Sequence, residues 1–239
     1  MKHYLFLAGF FSLFLEIKAQ KPVFLPGPVQ MTQLADPVWK SKTLDAGTAW
    51  GRIDGIKGTM FFCEDWANGY ILLEDNRIAR DVSLNFNVYT NEIYFEYDSQ
   101  VSVIDPSVAV QEFAFTEQKD KTGKTSLFRC GYPPVGKNTK STFYEVLVKN
   151  KLSLLIHCNK KIAEKNNGLS GPEKIFTDSE TWYVYNEGEQ KMTEIKKNKN
   201  ALLKALPKYE KNILSIIEKK GLDLKNNQDW IVLFTALNS

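Results

Sequence analysis

The sequence predicts an α+β fold: a curved antiparallel β-meander, half-barrel or barrel-like, with two C-terminal helices packed on it. Three observations lead there. Apolar residues alternate with period two from about residue 59 to 115 and again from 125 to 195, which places them on one face of pleated strands. The gaps between these runs are short and polar, which suits antiparallel hairpins, since a parallel return needs a crossover of a dozen residues or more. After Lys196 the period changes to three and four. The 15 Phe and 10 Tyr agree with a sheet-rich chain.

Residues 1–19 have the layout of a secretory signal peptide: Lys2 and His3, an apolar run over 4–15, and Ala19 before Gln20. The mature chain is therefore expected to be exported, periplasmic or secreted. The apolar run is shorter than the roughly 20 residues that span a bilayer, so no transmembrane span is expected. Residues 20–58 read as an extended arm followed by a Gly/Trp-rich loop. Pro22, Pro26 and Pro28 exclude helix from the first part, and Gly47, Gly51, Gly55 and Gly58 punctuate the second around Trp50.

Residues 59–239 read as a single antiparallel β domain whose helices occupy about 199–239. Leu84, Phe86 and Val88 alternate with Asn85 and Asn87, and Ile93, Phe95 and Tyr97 alternate with Tyr94 and Glu96. Turns are expected at Asp75-Asn76, Thr90-Asn91 and Asp98-Ser99. A strand over 125–130 precedes a loop over 132–140 broken by Pro133, Pro134 and Gly136. Runs 142–149 and 152–158 form a hairpin across Asn150-Lys151, and 181–185 with 190–195 form the last one. The polar stretch 159–179, with Asn166-Asn167-Gly168 and Gly171-Pro172, reads as a long surface loop.

The two helices follow. Leu202, Leu203, Leu206, Tyr209, Ile213, Ile216 and Ile217 lie at helical spacing, with Pro207 interrupting and Gly221 placed as a stop. A second helix starts at Asn226 or Asn227 and carries Trp230, Ile231, Phe234 and Leu237 inward. The lysines of this segment are interleaved with Glu194, Glu210 and Glu218, the pattern of a solvated helix face.

Chemistry is sparse. A net charge of +3 is too small for nucleic-acid binding. Cys63, Cys130 and Cys158 are an odd number without a CxxC pair, so at most one disulfide can form within the chain and the usual thiol metal and redox patterns are missing. His3 belongs to the signal peptide, which leaves His157 as the sole mature imidazole and disfavours a multi-histidine metal site. Adjacent strand residues point to opposite faces, so His157 and Cys158 cannot form a dyad, although His157 could still meet Cys63 or Cys130. Glu64-Asp65-Trp66 is the most suggestive tripeptide, since two carboxylates beside an aromatic ring could serve acid catalysis or hold a sugar. GxSxG, HExxH, GxGxxG and P-loop patterns do not occur. No cofactor or metal is expected, and Glu64, Asp65 and His157 are the candidates if the protein were enzymatic.

The pattern 58–61, Trp66 with Gly69, the Asp75-Asn76 turn, the stretch 82–89 and Asn91-Glu92-Ile93 resembles an uncharacterised family of exported, signal-peptide-bearing proteins from Gram-negative bacteria. The aromatic strand 182–185, Lys197-Asn198-Lys199 and the closing helices extend the likeness over most of 58–239. The resemblance implies export and no particular activity.

These observations favour a non-enzymatic exported protein that binds a protein or cell-envelope component. A carrier of lipid or another apolar ligand in a sheet-enclosed pocket is the alternative, and a hydrolase the third. The interior separates the first two: filled by its own Phe and Tyr, it favours the binding protein, whereas an apolar cavity of about 300 Å³ or more favours the carrier.

Overall fold

The structure, a computed structural model, describes residues 41–43, 52–97, 99–116, 125–166, 168 and 171–239. The signal-peptide and extended-arm readings of 1–36 lie outside the described residues. Among the described residues twelve strands form one sheet: β1 (Ser41–Thr43), β2 (Ile56–Lys57), β3 (Ala67–Leu73), β4 (Ile78–Asn87), β5 (Glu92–Tyr97), β6 (Gln100–Ile104), β7 (Val110–Thr116), β8 (Thr125–Arg129), β9 (Tyr144–Val148), β10 (Leu152–Asn166), β11 (Pro172–Asn186) and β12 (Lys191–Ile195). The pairings among these strands are antiparallel except that of β2 with β11. Three helices follow, α1 (Lys199–Ala205), α2 (Glu210–Lys220) and α3 (Asn227–Leu237).

The sheet order is β1-β6-β5-β4-β3-β7-β8-β9-β10-β11-β12. This corrects the plain up-and-down meander: the chain reverses through β3 to β6, then β7 returns to the free edge of β3. Two facts account for the jump. The outer edge of β6 is taken by β1, and pairing with β3 sets Phe113 opposite Ile71 with its ring 5.1 Å from Phe86. The approach is close at Gly69, where a Cβ would lie 2.0 Å from the Ala114 carbonyl oxygen, so glycine alone fits.

Curvature follows from bulges and from the core. Register skips one residue of β4 at Asp81, which takes a left-handed φ of 56°, one of β7 at Gln111 and one of β9 at Leu147. Each extra residue bends its strand and increases twist. Phe86 of β4 and Phe128 of β8 stand three strands apart, about 14 Å in a flat sheet. Their rings nevertheless meet at 5.0 Å, with Phe113, Phe115, Phe62 and Phe143 packed around them. The strongly curved antiparallel sheet is as expected.

Three asparagines tie the curl together. Asn85, buried opposite Tyr94, accepts from the Cys63 and Phe86 amides and donates to the Cys63 and Asp65 carbonyls. Asn87 accepts from the Tyr89 and Thr90 amides and donates to the Met60 sulfur. Asn91 donates to the Ser141 carbonyl and accepts from the Phe143 amide, joining the β4–β5 turn to the loop before β9. Each side chain supplies hydrogen bonds that irregular backbone would otherwise lack.

The inner face continues across the second half of the sheet. Phe128, Glu145, Ile156, Trp182 and Ile195 form one cross-strand row over β8 to β12. The helices cover its far end, where Leu154, Ile156, Trp182 and Val184 pack against Leu202, Ile213, Trp230, Leu233 and Phe234. Capping fixes their bounds. Asn198 and Asn226 accept from the Ala201 and Asp229 amides, Gly221 ends α2 with a φ of 63°, and Asn238 pins α3 to both backbone groups of Leu152.

Two expectations are corrected. The stretch 159–179 is mainly strand, because β10 runs to Asn166 and β11 starts at Pro172; a ladder is made of backbone hydrogen bonds, which polar residues supply as well as apolar ones. Three helices close the chain instead of two. Pro207 has no N–H to extend α1, so it opens a 3₁₀ turn, Pro207–Tyr209, that leads into α2.

Candidate functional site

The sequence candidates do not come together. Glu64 and Asp65 are exposed in a run of bends between the Phe61 bridge and β3, where the Asp65 carbonyl serves Asn85. His157 lies half-buried on the outer face of β10, its ring 5.7 Å from that of Tyr144, and burial lowers its pKa. Cys158, the next residue, packs on the inner face against both core clusters, with its thiol 3.7 Å from Glu145 Oε2, while Ser126 donates to Glu145 Oε1. His157 therefore has no route to Cys63, which sits in the inner core. Cys130 gives its thiol proton to the Val110 carbonyl at 3.0 Å, and burial pushes its pKa to about 11, so it is no ready thiolate. Among the described residues, no cluster of three or more His, Cys, Asp or Glu could hold a metal ion, and no helix is long and apolar enough to cross a membrane.

A different constellation forms on the outer face, around Glu112. β7 and β8 set Glu112 directly opposite Arg129, and the β3–β7 register, with Leu72 opposite Glu112 and Tyr70 opposite Ala114, makes Tyr70 of β3 its diagonal neighbour. The Tyr70 hydroxyl donates to Glu112 Oε1 at 2.8 Å, while Arg129 Nη1 and Lys149 Nζ donate to Oε2 at 2.9 and 3.1 Å. Only 7% of Glu112 is exposed. Burial alone would raise its pKa, but the hydrogen bonds from Tyr70, Lys149 and Arg129 outweigh burial and hold the carboxyl below its ordinary range. The carboxylate thus stays charged and fixes two cations at the surface.

Those cations line a cleft of about 600 Å³ with Tyr132, Tyr185, Glu74 and Glu187. Tyr132 comes from the 131–143 loop, which lies over the outer face, and meets Tyr144 and Tyr185 edge-on at 5.7 and 5.1 Å. The same cluster holds Leu155, Tyr183 and Met192, and Asn138 of the loop donates to the Tyr183 hydroxyl at 3.3 Å. Burial raises the Tyr132 pKa, and takes that of Tyr144 to about 12. The buried Tyr144 hydroxyl completes no hydrogen bond among the described residues.

A second cleft of about 640 Å³ opens at the mouth of the curled sheet. Its floor is apolar, formed by Ile93, Ile104, Val110 and Phe143, and Glu92 and Lys140 stand on its rim; Glu74, Cys130 and Gly131 form the wall it shares with the first cleft. The sequence signalled neither. Glu112 and Arg129 occupy ordinary polar positions of alternating strands, and only the β3–β7–β8 register makes them neighbours of Tyr70. Comparison of the chain with models of protein families, with curated proteins and with solved structures finds no match.

Proposed function

We propose that this chain is an exported, non-enzymatic binding protein that engages a protein or cell-envelope component through the tyrosine-lined outer cleft. One observation carries the reading: the inner face is filled by the chain itself. Phe86, Phe113, Phe115 and Phe128 are fully buried against one another, and Trp230, Leu233 and Phe234 fill the space between helices and sheet. What is left open and polar lies outside.

Two further points support it. In the outer cleft, Ser153 exchanges hydrogen bonds with the Asn150 backbone, and the neighbouring Cys130 thiol is neutral, so neither has the adjacent base that an activated nucleophile needs. The likeness to an exported Gram-negative family, with the layout of residues 1–19, agrees with a periplasmic or secreted location. A half-barrel description of the sheet fits the same geometry, because the segment 56–62 pairs with β11 at one end and hydrogen-bonds to β4 at the other.

A second reading keeps one specific observation, the apolar floor of the cleft at the sheet mouth, which suits a small apolar ligand. Both are tested in the native host with a photo-crosslinking residue at Tyr185 or at Ser107, together with native mass spectrometry of the purified protein. The binding reading expects a discrete crosslink at Tyr185, a first residue Gln20, and no bound apolar molecule. A stoichiometric apolar adduct, with crosslinks from Ser107 alone, would install the carrier instead.

A further inference from the structure

We infer that the outer cleft takes a neutral saccharide, with Tyr185 and Tyr132 as its aromatic wall and Arg129, Lys149, Glu74 and Glu187 as its hydrogen-bonding rim. This rests on the binding reading above and names the ligand class of that site.

Charge narrows the class first. Two cations, Arg129 and Lys149, face three carboxylates, Glu112, Glu74 and Glu187, in and beside one cleft. A phosphate or another polyanion would meet cations whose charge Glu112 already offsets, and would approach two further carboxylates. A cationic ligand would meet Arg129 and Lys149. A long apolar chain would strip water from all of these groups without replacing their hydrogen bonds, which is costly. The remaining class is uncharged and carries donors and acceptors together. A hydroxyl does both, so a polyol can donate to Glu74 or Glu187 and accept from Arg129 or Lys149 with the same group.

The aromatic groups narrow it further. A sugar ring has an apolar C–H face and a polar edge, and tyrosine has the matching apolar body and polar tip. Tyr185 is partly exposed at the cleft, and Tyr132 meets it edge-on at 5.1 Å, which holds its ring in place. A volume of about 600 Å³ lies within the range of small-ligand sites.

Pre-organisation completes the case. Arg129 and Lys149 converge on one oxygen of Glu112 while Tyr70 holds the other, so two flexible side chains are ordered before any ligand arrives. Ordering them in advance removes part of the entropic cost of binding. Arg129 uses Nη1 for Glu112, and the other N–H groups of its guanidinium fork remain for a ligand at the cleft it lines.

The test uses residues 20–239 on an array of neutral and acidic glycans, followed by calorimetry with tetrasaccharides of β-1,4-linked N-acetylglucosamine and of β-1,4-linked glucose. The expected result is retention of one or more neutral glycans with little dependence on salt. Tyr185→Ala and Glu112→Gln should each weaken that binding about tenfold or more, the loss of an organised contact. Tyr185→Phe, which keeps the ring, and Phe176→Ala, on the far side of the molecule, should leave it within about threefold. Circular dichroism on each variant separates lost binding from lost fold. The inference fails if no neutral glycan is retained, if the retained glycans are acidic and released by salt, or if Tyr185→Ala binds like the parent. A Tyr185 crosslink to an envelope protein without glycan binding would sink the saccharide while leaving the binding reading in place.

Discussion

β10 and β11 form one ladder with two fates. Over Leu152–Ile156 the strand is buried on both faces, by Trp230 and Leu233 on the inner side and by Tyr144 and Tyr183 on the outer. Beyond Asn159 the same unbroken antiparallel register continues to Asn166, yet the side chains stand largely in solvent. Less holds this distal half to the rest: the two residues of β2, Phe176 packed against the Met60, Phe61 and Tyr94 cluster with its ring 5.6 Å from Tyr89, and the Lys57–Glu173 ion pair. Backbone pairing is equal in the two halves, so the difference isolates what side-chain coverage contributes. Net backbone hydrogen bonds give about 0.5–1.5 kcal/mol each, whereas a buried Leu or Phe gives about 1.5–3. The proximal half should therefore be part of the global fold and the distal half a local, lower-stability unit.

The largest effect should come from removing the cover of the proximal half. Trp230 is fully buried, 5.6 Å from Trp182, and its indole N–H donates to the Leu224 carbonyl at 3.0 Å. Trp230→Ala is expected to cost about 3–5 kcal/mol, the usual range for a large aromatic core truncation. Urea unfolding followed by Trp fluorescence and circular dichroism measures it. A cost under about 1 kcal/mol would mean that the helices are an accessory to the sheet and not part of its core.

Next comes the same kind of substitution placed in each half. Leu154→Ala deletes a fully buried side chain and should cost about 2–5 kcal/mol; Ile162→Ala, at a position 38% exposed, should cost less than about 1. Amide exchange should agree, with protection at Leu154 close to the global limit and protection around Ile162 well below it. Equal costs at the two positions would break the comparison.

This contrast also explains what the sequence could reveal. Strands with apolar residues at alternate positions announce themselves, as Leu84 and Phe86 or Ile93 and Phe95 do. The distal half of β10 carries Lys161, Glu164 and Lys165, and polar residues in solvent leave no period to read. Asn85 and Asn87 mislead in the opposite direction. They occupy the alternate positions where solvent is expected, yet they are buried, because Asn85 pairs with the backbone of Cys63 and Asp65, 20 or more residues away, and Asn87 with the Tyr89 and Thr90 amides and the Met60 sulfur. The outer cleft was hidden for a similar reason: Tyr70, Glu112, Arg129 and Lys149 meet only after β7 has jumped to β3. Pro207 was legible as an interruption, but its consequence, a third helix, depended on how the chain resumed at Glu210.

Acid should separate two groups of the outer face, His157 on β10 and Glu112 on β7. Burial holds the His157 pKa below its ordinary 6.5, so the unfolded chain takes up this proton first as pH falls. Stability should drop as pH falls below about 6.5 and until His157 itself titrates, and His157→Gln should remove that component. The Glu112 carboxyl lies below its ordinary 4.5, so its contribution is present above that pH and lost as pH falls through the lower folded-state value. Glu112→Gln should therefore alter the limb below pH 4.5 and leave the His157 limb unchanged. Chemical denaturation at half-unit intervals from pH 3 to 8 checks both, and a His157→Gln profile that overlays the parent would contradict the first.

The smallest effect concerns the charges of the distal half. Lys160 and Asp178 are directly opposite in register, with Nζ 3.4 Å from the carboxylate, but their side chains differ: Lys160 is 13% exposed and Asp178 85%. Lys160 thus lays its methylene stem on neighbouring side chains and carries its charge outward. The carboxylate is hydrated, so the Coulomb gain is screened and the coupling should be about 0.2–0.5 kcal/mol. Truncation should then be asymmetric. Asp178→Ala should be nearly neutral, while Lys160→Ala should cost more through the lost packing of its stem. Lys160→Met keeps the stem without the charge and should recover most of that loss. A double-mutant cycle in 0.1 M and 1 M salt supplies the comparison. Should the coupling exceed about 1 kcal/mol and persist in high salt, charge and not packing would be what orders the distal half.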